Sequence, residues 1–191
     1  MELLLIIPFV LSFALAMNSF GLAIINSSVS GKVLPGISIK AAFSFGLSHF
    51  VLGFAGYFLG RLLQPAVSGI EEWAAVAFLV ILGVKILLQT VKANPLSKVF
   101  DINSIRVILA LSVAVGINAL LVGLVLGFLN APGLGFNIFT FFLVTFFTLF
   151  GLSGGHNLGM PFARSVPILG GVLFIVSGIM MAVEVLGYGL H

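Results

Sequence analysis

The chain has 191 residues, of which 61% are hydrophobic and only 7% charged, with a formal net charge of +3 and no cysteine. A soluble domain carries roughly a quarter charged residues, so this composition excludes an ordinary water-exposed surface wrapped around one core. The missing cysteine excludes disulfides and thiolate metal centres, and the small positive charge calls for no nucleic-acid partner, because membrane topology accounts for it.

Continuous apolar runs of about 20 residues cross a bilayer as helices. Six are read in chain order: Leu3–Ile25, Ile39–Gly60, Trp73–Val91, Arg106–Leu129, Phe136–Leu158 and Val166–Leu186. Barrel strands would alternate over short segments instead. The expected fold class is therefore all-α, a polytopic membrane protein of six transmembrane helices forming a single domain over 1–191, with the lipid bilayer as its surroundings. The first run follows Glu2 rather than basic residues and continues past the small triplet Ala14-Leu15-Ala16. It is read as a retained span rather than a cleaved signal. The longest connector, Lys92 to Ile105, is too short for a domain, and no glycine-rich phosphate loop appears. ATP-driven pumping by this chain alone is not expected, and no residue pattern assigns an oligomeric state.

Basic residues orient the spans. Loops one, three and five, with their span edges, hold Lys32, Lys40, Lys92, Lys98, Arg106 and Arg164, whereas the opposite side holds Arg61 beside Glu71 and Glu72. Lys85 lies inside the third span near its Lys92 end, from where it is expected to snorkel to that surface. An excess of basic residues marks the cytoplasmic side, so both termini are expected outside the plasma membrane.

The two halves resemble each other when Asn18 is set against Asn118. LAMNSFGLAI faces VGINALLVGL, GFAGYFLGRLL faces LSGGHNLGMPF, and LVILGVKIL faces FIVSGIMMA. The second match pairs Gly56 with Gly155 and Gly60 with Gly159, and the third pairs Gly83 with Gly178. Three spans per half force opposite orientations, the inverted-repeat plan of many secondary transporters, whose substrate site lies near the midplane. Repeat one covers about 1–92, the cytoplasmic connector about 92–105 and repeat two about 106–191. Gly56 and Gly60, Gly123 and Gly127, and Gly155 and Gly159 each form a G-x-x-x-G pair, a pattern that packs helices closely and needs no further function.

A primary amide in hydrocarbon is costly without a partner, so two at matching places point to a shared polar centre. Asn18 falls in the inner half of span one, Asn118 near the centre of span four and His49 at the centre of span two. His49 is the one titratable group assigned to the midplane, suited to ligating a metal or passing a proton. On the glycine alignment its repeat counterpart is Thr148. The hydroxyls Ser12, Ser19, Ser44, Ser48, Ser112 and Thr148 lie at similar depths, where capping their own helix carbonyls is the simpler role. All five acids, Glu2, Glu71, Glu72, Asp101 and Glu184, fall at span ends or in loops, so no central carboxylate neutralises a divalent cation. His156 and Asn157, near the cytoplasmic end of span five, are expected to line an inner vestibule or to cap that helix, capping being the simpler role.

The segments AMNSFGLAI, SIKAAFSFGLSHFVLGFAGYFLGRLL, EEWAAVAFLVILGVKIL, SVAVGINALLVGLVLGFL and ARSVPILGGVLFIVSGIMM resemble the small bacterial manganese efflux pumps of the MntP type. These are six-span proteins of two three-span repeats within the wider amino-acid exporter company. The resemblance covers nearly the whole chain in order. It implies that the positions of Asn18 and Asn118 are those where the family typically carries aspartates, and that of His49 one where it commonly carries an acid or an amide. The chain then reads as a divergent member whose scaffold is kept and whose site charge is gone. Manganese(II) prefers hard oxygen ligands, whereas an imidazole favours zinc, nickel or copper; an asparagine carbonyl gives the oxygen without the charge.

The expected function is a secondary transporter, a manganese efflux pump-like exporter in which Asn18, His49 and Asn118 bind the transported divalent ion, with no cofactor. An exporter of a small neutral or zwitterionic solute on the same fold is the alternative, and a non-transporting scaffold the third. No nucleophile, base and orienting group converge as an enzyme would need.

Overall fold

The computed structural model describes residues 2–30, 33–92, 100 and 104–188, with side chains in the first helix from residue 6 onward. Every long element is helical: α1 Glu2–Ser30, α2 Pro35–Leu63, α3 Glu71–Lys92, α4 Ile105–Phe128 and α5 Gly133–Tyr188. A short 3-10 turn, Gln64–Val67, follows α2. All five long helices are apolar enough to cross a membrane, and the described residues contain no strand.

Local sequence explains the ends. Pro35 opens α2 after an extended Leu34, a position where its fixed φ and missing N–H cost nothing. Glu71 and Glu72 occupy the first turn of α3 and Lys92 its last, each of the sign that complements the helix dipole. The helices outrun their apolar cores, so α1 continues past Ile25 to Ser30 and α2 begins four residues before Ile39. The connector before α4 lies mostly outside the described residues.

The fifth and sixth apolar runs are expected as two spans with several residues between them. They form two helices, together α5, that meet at a kink with no loop between them; the break is Gly159, whose φ of 75° and ψ of 171° are non-helical. A glycine takes this conformation at little cost, whereas it is essentially closed to side-chain-bearing residues. The helix resumes at once because Pro161, which has no N–H to satisfy, sits in the first turn after the break. Just before it, the Ser27 hydroxyl donates to the Leu152 carbonyl at 2.9 Å and accepts from the His156 N–H at 3.1 Å. Those two groups are the acceptor and donor of one helical rung, so a hydroxyl of α1 engages the α5 ladder there. His156 thus sits in the last helical turn before the break, its N–H bonded by Ser27.

α1 forms the centre of the molecule. Its hydrophobic window is 67% buried, against 33–44% for the others. It packs chiefly on α5; α2 packs on α4 and on the first part of α5, and α3 on the later part of α5. Outward faces carry large apolar side chains, including Leu62, Ile81, Phe142 and Val183, as lipid-facing helices require. Inside, Leu11, Leu15, Leu79, Ile86, Val122 and Phe174 join four helices in one cluster. Polar groups bridge the seams: Ser12 Oγ lies 2.8 Å from Thr140 Oγ1, Ser28 Oγ donates to the Gly155 carbonyl at 3.1 Å, and Ser48 Oγ to the Ser112 carbonyl at 2.7 Å.

The first two G-x-x-x-G pairs are contact surfaces, whereas in the third Gly155 meets α1 and Gly159 meets no other helix. A Cβ at Gly56 would collide with the Leu120 carbonyl, and one at Gly123 with that of Gly53, so α2 and α4 touch backbone to backbone. Gly159→Ala is expected to cost about 1–3 kcal/mol by forcing a side chain into a glycine-only conformation. A lowered thermal unfolding midpoint of the purified protein checks this, and an unchanged midpoint would contradict the break.

Candidate functional site

A cavity of about 190 Å³ is lined by Asn18, Leu22 and Ile25 of α1, Lys85 and Gln89 of α3, Ala114, Val115 and Asn118 of α4, and Pro167 of α5. The two asparagines therefore come together, from helices far apart in the chain. Gly21 makes this possible on one side: it lies one turn from Asn18, and a Cβ there would overlap the Pro167 ring, which forms a wall of the cavity. On the other side, Asn118 is carried by the face of α4 that also buries Val122 and Leu126 in the core cluster.

The amides differ in their partners. Asn118 Oδ1 accepts a hydrogen bond from Lys85 Nζ at 3.2 Å. The Asn18 side chain bonds to no described residue and opens to the cavity. Gln89 stands one helical turn beyond Lys85 on the same face of α3. No carboxylate belongs to the lining. The cavity offers neutral oxygens, amide N–H donors and one ammonium.

Lys85 does not snorkel to the Lys92 end. A helical Cα–Cβ bond tilts towards the helix N-terminus, and α3 runs from Glu71 to Lys92. A lysine seven residues short of the C-terminal end is therefore launched away from the near surface and into the protein. His49 is consequently not the one titratable group in the interior. A charged side chain two turns inside an apolar span, with an amide four residues on, was the available signal for both Lys85 and Gln89.

His49 lies outside the cavity lining. It is fully buried, with Nδ1 donating to the Phe45 carbonyl at 2.8 Å and Nε2 left facing the Ser19 hydroxyl at 3.4 Å. Its contact with the site is indirect, through the residue next to Asn18. Thr148 Oγ1 is buried without a partner, and so is Asn137 Oδ1, whose amide nitrogen donates to the Gly133 carbonyl. Among the described residues, no three His, Asp or Glu side chains converge as a metal cluster.

A larger cavity, about 380 Å³, opens at the Glu71 end of α3 and is lined by Glu71, Glu72 and Glu184 together with Gln64 and Asn130. It gathers three of the acids that the sequence puts at span ends, and it is far more acidic than the asparagine cavity.

Comparison with known proteins decides the family. The family described as "Putative manganese efflux pump" matches residues 35–182. The chain belongs to this family. Among relatives that carry the name "Putative manganese efflux pump MntP", one from Actinobacillus succinogenes is 27% identical over 180 residues, covering 92% of this chain and 94% of its own. One from Methanosarcina barkeri is 30% identical over 171 residues, covering 89% and 91%. A third, from Methanosarcina mazei, is 29% identical over 177 residues, covering 92% and 94%. No solved structure matches the chain. As a member of this efflux-pump family, with long apolar helices, the chain is a multi-pass membrane protein of a transporter kind.

His49→Leu removes both hydrogen bonds of a fully buried ring. We expect a loss of about 1–3 kcal/mol in stability, read as a lower unfolding midpoint in detergent; an unchanged midpoint would contradict the bonded, enclosed placement.

Proposed function

We propose that this protein exports a divalent metal cation, manganese foremost, from the cytoplasm through the cavity between Asn18 and Asn118. The observation that carries the reading is the meeting of these two amides at one cavity, in a chain whose relatives are named manganese efflux pumps. Their carbonyl oxygens are hard ligands of the type manganese(II) accepts. The acidic cavity at the Glu71 end then provides a negative vestibule into which a cation leaves.

The scaffold we infer is a pair of inverted three-span repeats, α1–α3 and α4–α5, with α5 counted as two crossings. A straight 56-residue helix would be about 84 Å long, whereas the hydrocarbon core is about 30 Å thick; Gly159 is where the chain would turn back. Packing supports the repeat. Gly83 lies against Gly171 and Ile175, and Gly178 against Val76 and Val80, the same contacts with the two halves exchanged. Gly56 and Gly60 lie against Leu120 and Leu124, while Gly151 and Gly155 lie against Phe20 and Ile24.

These contacts favour pairing Gly56 with Gly151 and Gly60 with Gly155, one helical turn away from the sequence alignment. A four-residue glycine pattern fits itself equally well one turn along, so sequence alone does not fix that register. Val144, rather than Thr148, then corresponds to His49. We assign His49 a positioning role, holding Ser19 and with it Asn18, in place of direct ligation. The basic residues put the Lys92 end of α3 and the connector in the cytoplasm and both termini outside.

Cells lacking their own manganese exporter provide the test. Expressing this chain is expected to restore growth in excess manganese and lower cell manganese content. Asn18→Ala and Asn118→Ala are each expected to weaken that protection about tenfold or more, the loss of one oxygen ligand to a desolvated ion. Protection by both variants equal to wild type would refute the site, and no protection by wild type would refute manganese export.

A further inference from the structure

The Lys85–Asn118 bond is a peculiar feature for a cation site. An efflux protein is expected to surround its cargo with oxygens, yet one of the two asparagine oxygens is already taken by an ammonium donated from within the same chain. Among the described residues, Lys85 is the only charged side chain lining that cavity. It is part-buried, and no described carboxylate bonds to it.

The bond also crosses between elements that otherwise touch little: α3 packs mainly on α5 and only lightly on α4. In the repeat register set by Gly83 and Gly178, the residue corresponding to Lys85 is Met180, an exposed methionine that donates no hydrogen bond. The two asparagines are therefore unequal for a stated reason. Asn118 is bonded to an internal cation; Asn18 is not, and its amide faces the cavity without a bond to any described residue.

We propose that Lys85 is a resident cation of the transport site, occupying the Asn118 oxygen when no cargo is bound and yielding it only when a metal ion displaces it. The inference rests on reading the cavity as the cation site and adds the residue that sets its affinity. Two like charges repel strongly in a site of low dielectric, and neither asparagine supplies compensating charge. A metal ion thus enters only at a concentration high enough to drive the ammonium away. The consequence is a weak site, which suits an exporter that acts on excess metal and spares the working pool.

The Lys85–Asn118 contact also gives the displacement a structural outcome. When the ammonium leaves, a polar tie between α3 and α4 is released, and Asn118 is free to share the ion with Asn18. Occupancy of the site is thereby linked to the relation between the two halves.

The test is binding of manganese(II) to the purified full-length protein in detergent, read from loss of the free-ion electron paramagnetic resonance signal. Wild type, Lys85→Gln and Lys85→Arg are compared, each first shown to be monodisperse. Lys85→Gln keeps a donor for Asn118 and removes the charge; it is expected to bind manganese about tenfold or more tightly than wild type. Lys85→Arg keeps the charge and is expected to stay near wild type. Equal binding by wild type and Lys85→Gln overturns the resident-cation role while leaving manganese export standing. Weaker binding by Lys85→Gln, or equal tightening by Lys85→Arg, also overturns it. Binding by Lys85→Gln with none by wild type upholds the role of Lys85 and overturns manganese export by the native site. Absence of binding by all three overturns both.

Discussion

Hydrocarbon offers no partner to a polar group, and that constraint organises this molecule. Each buried hydroxyl that bridges helices answers it: Ser12 with Thr140, Ser27 with the ladder of α5 and Ser48 with the Ser112 carbonyl. Such bonds contribute modestly one by one. Their joint effect is to fix which helix faces meet, because a slip of either helix would strand several donors at once. The same constraint makes exceptions informative. An amide that faces a cavity without a protein partner, as Asn18 does, is a group left ready for something else.

Close helix approach is the second element. Where Gly56 meets Leu120 and Gly155 meets Ile24, the helices come together on backbone atoms. Dispersion contacts replace the hydrophobic effect, which provides no drive between helices in lipid. Gly21 does the same for Pro167 and in doing so shapes a wall of the asparagine cavity. Packing and site are thus set by the same small residues. The break at Gly159 completes the arrangement: it lies just after the stretch of α5 that Ser27 and Ser28 hold, so the chain changes direction beside a segment whose position is already fixed.

Much of this was legible in the sequence, and the reasons are physical. A 7% charged composition and long apolar runs leave helices in a membrane as the outcome. Asn18 and Asn118 were conspicuous because an amide in an apolar run carries an energetic cost wherever it is. Three features were not legible. The fifth and sixth runs are separated by glycine and proline, which mark a change of direction without giving its length; the structure needs only Gly159. Helix direction decides whether a lysine near a span end reaches water or turns inward, and Lys85 turns inward to Asn118. His49 sits at the depth the sequence suggests, but which face of α2 meets α1 is a property of packing, and that face gives it Ser19 and not the cavity.

The central claim is that Asn18 and Asn118 form one site. The natural absence of cysteine makes it directly testable, because introduced thiols have no background. Paired Asn18→Cys and Asn118→Cys substitutions in the full chain, in membranes, are treated with a short bifunctional thiol reagent. A protease site engineered between α3 and α4 then reports whether the halves stay joined. The Ser12→Cys and Thr140→Cys pair, whose oxygens lie 2.8 Å apart, serves as the positive control. The account predicts that both pairs hold the cleaved halves together. Linkage of the control pair with none at 18 and 118 would contradict it.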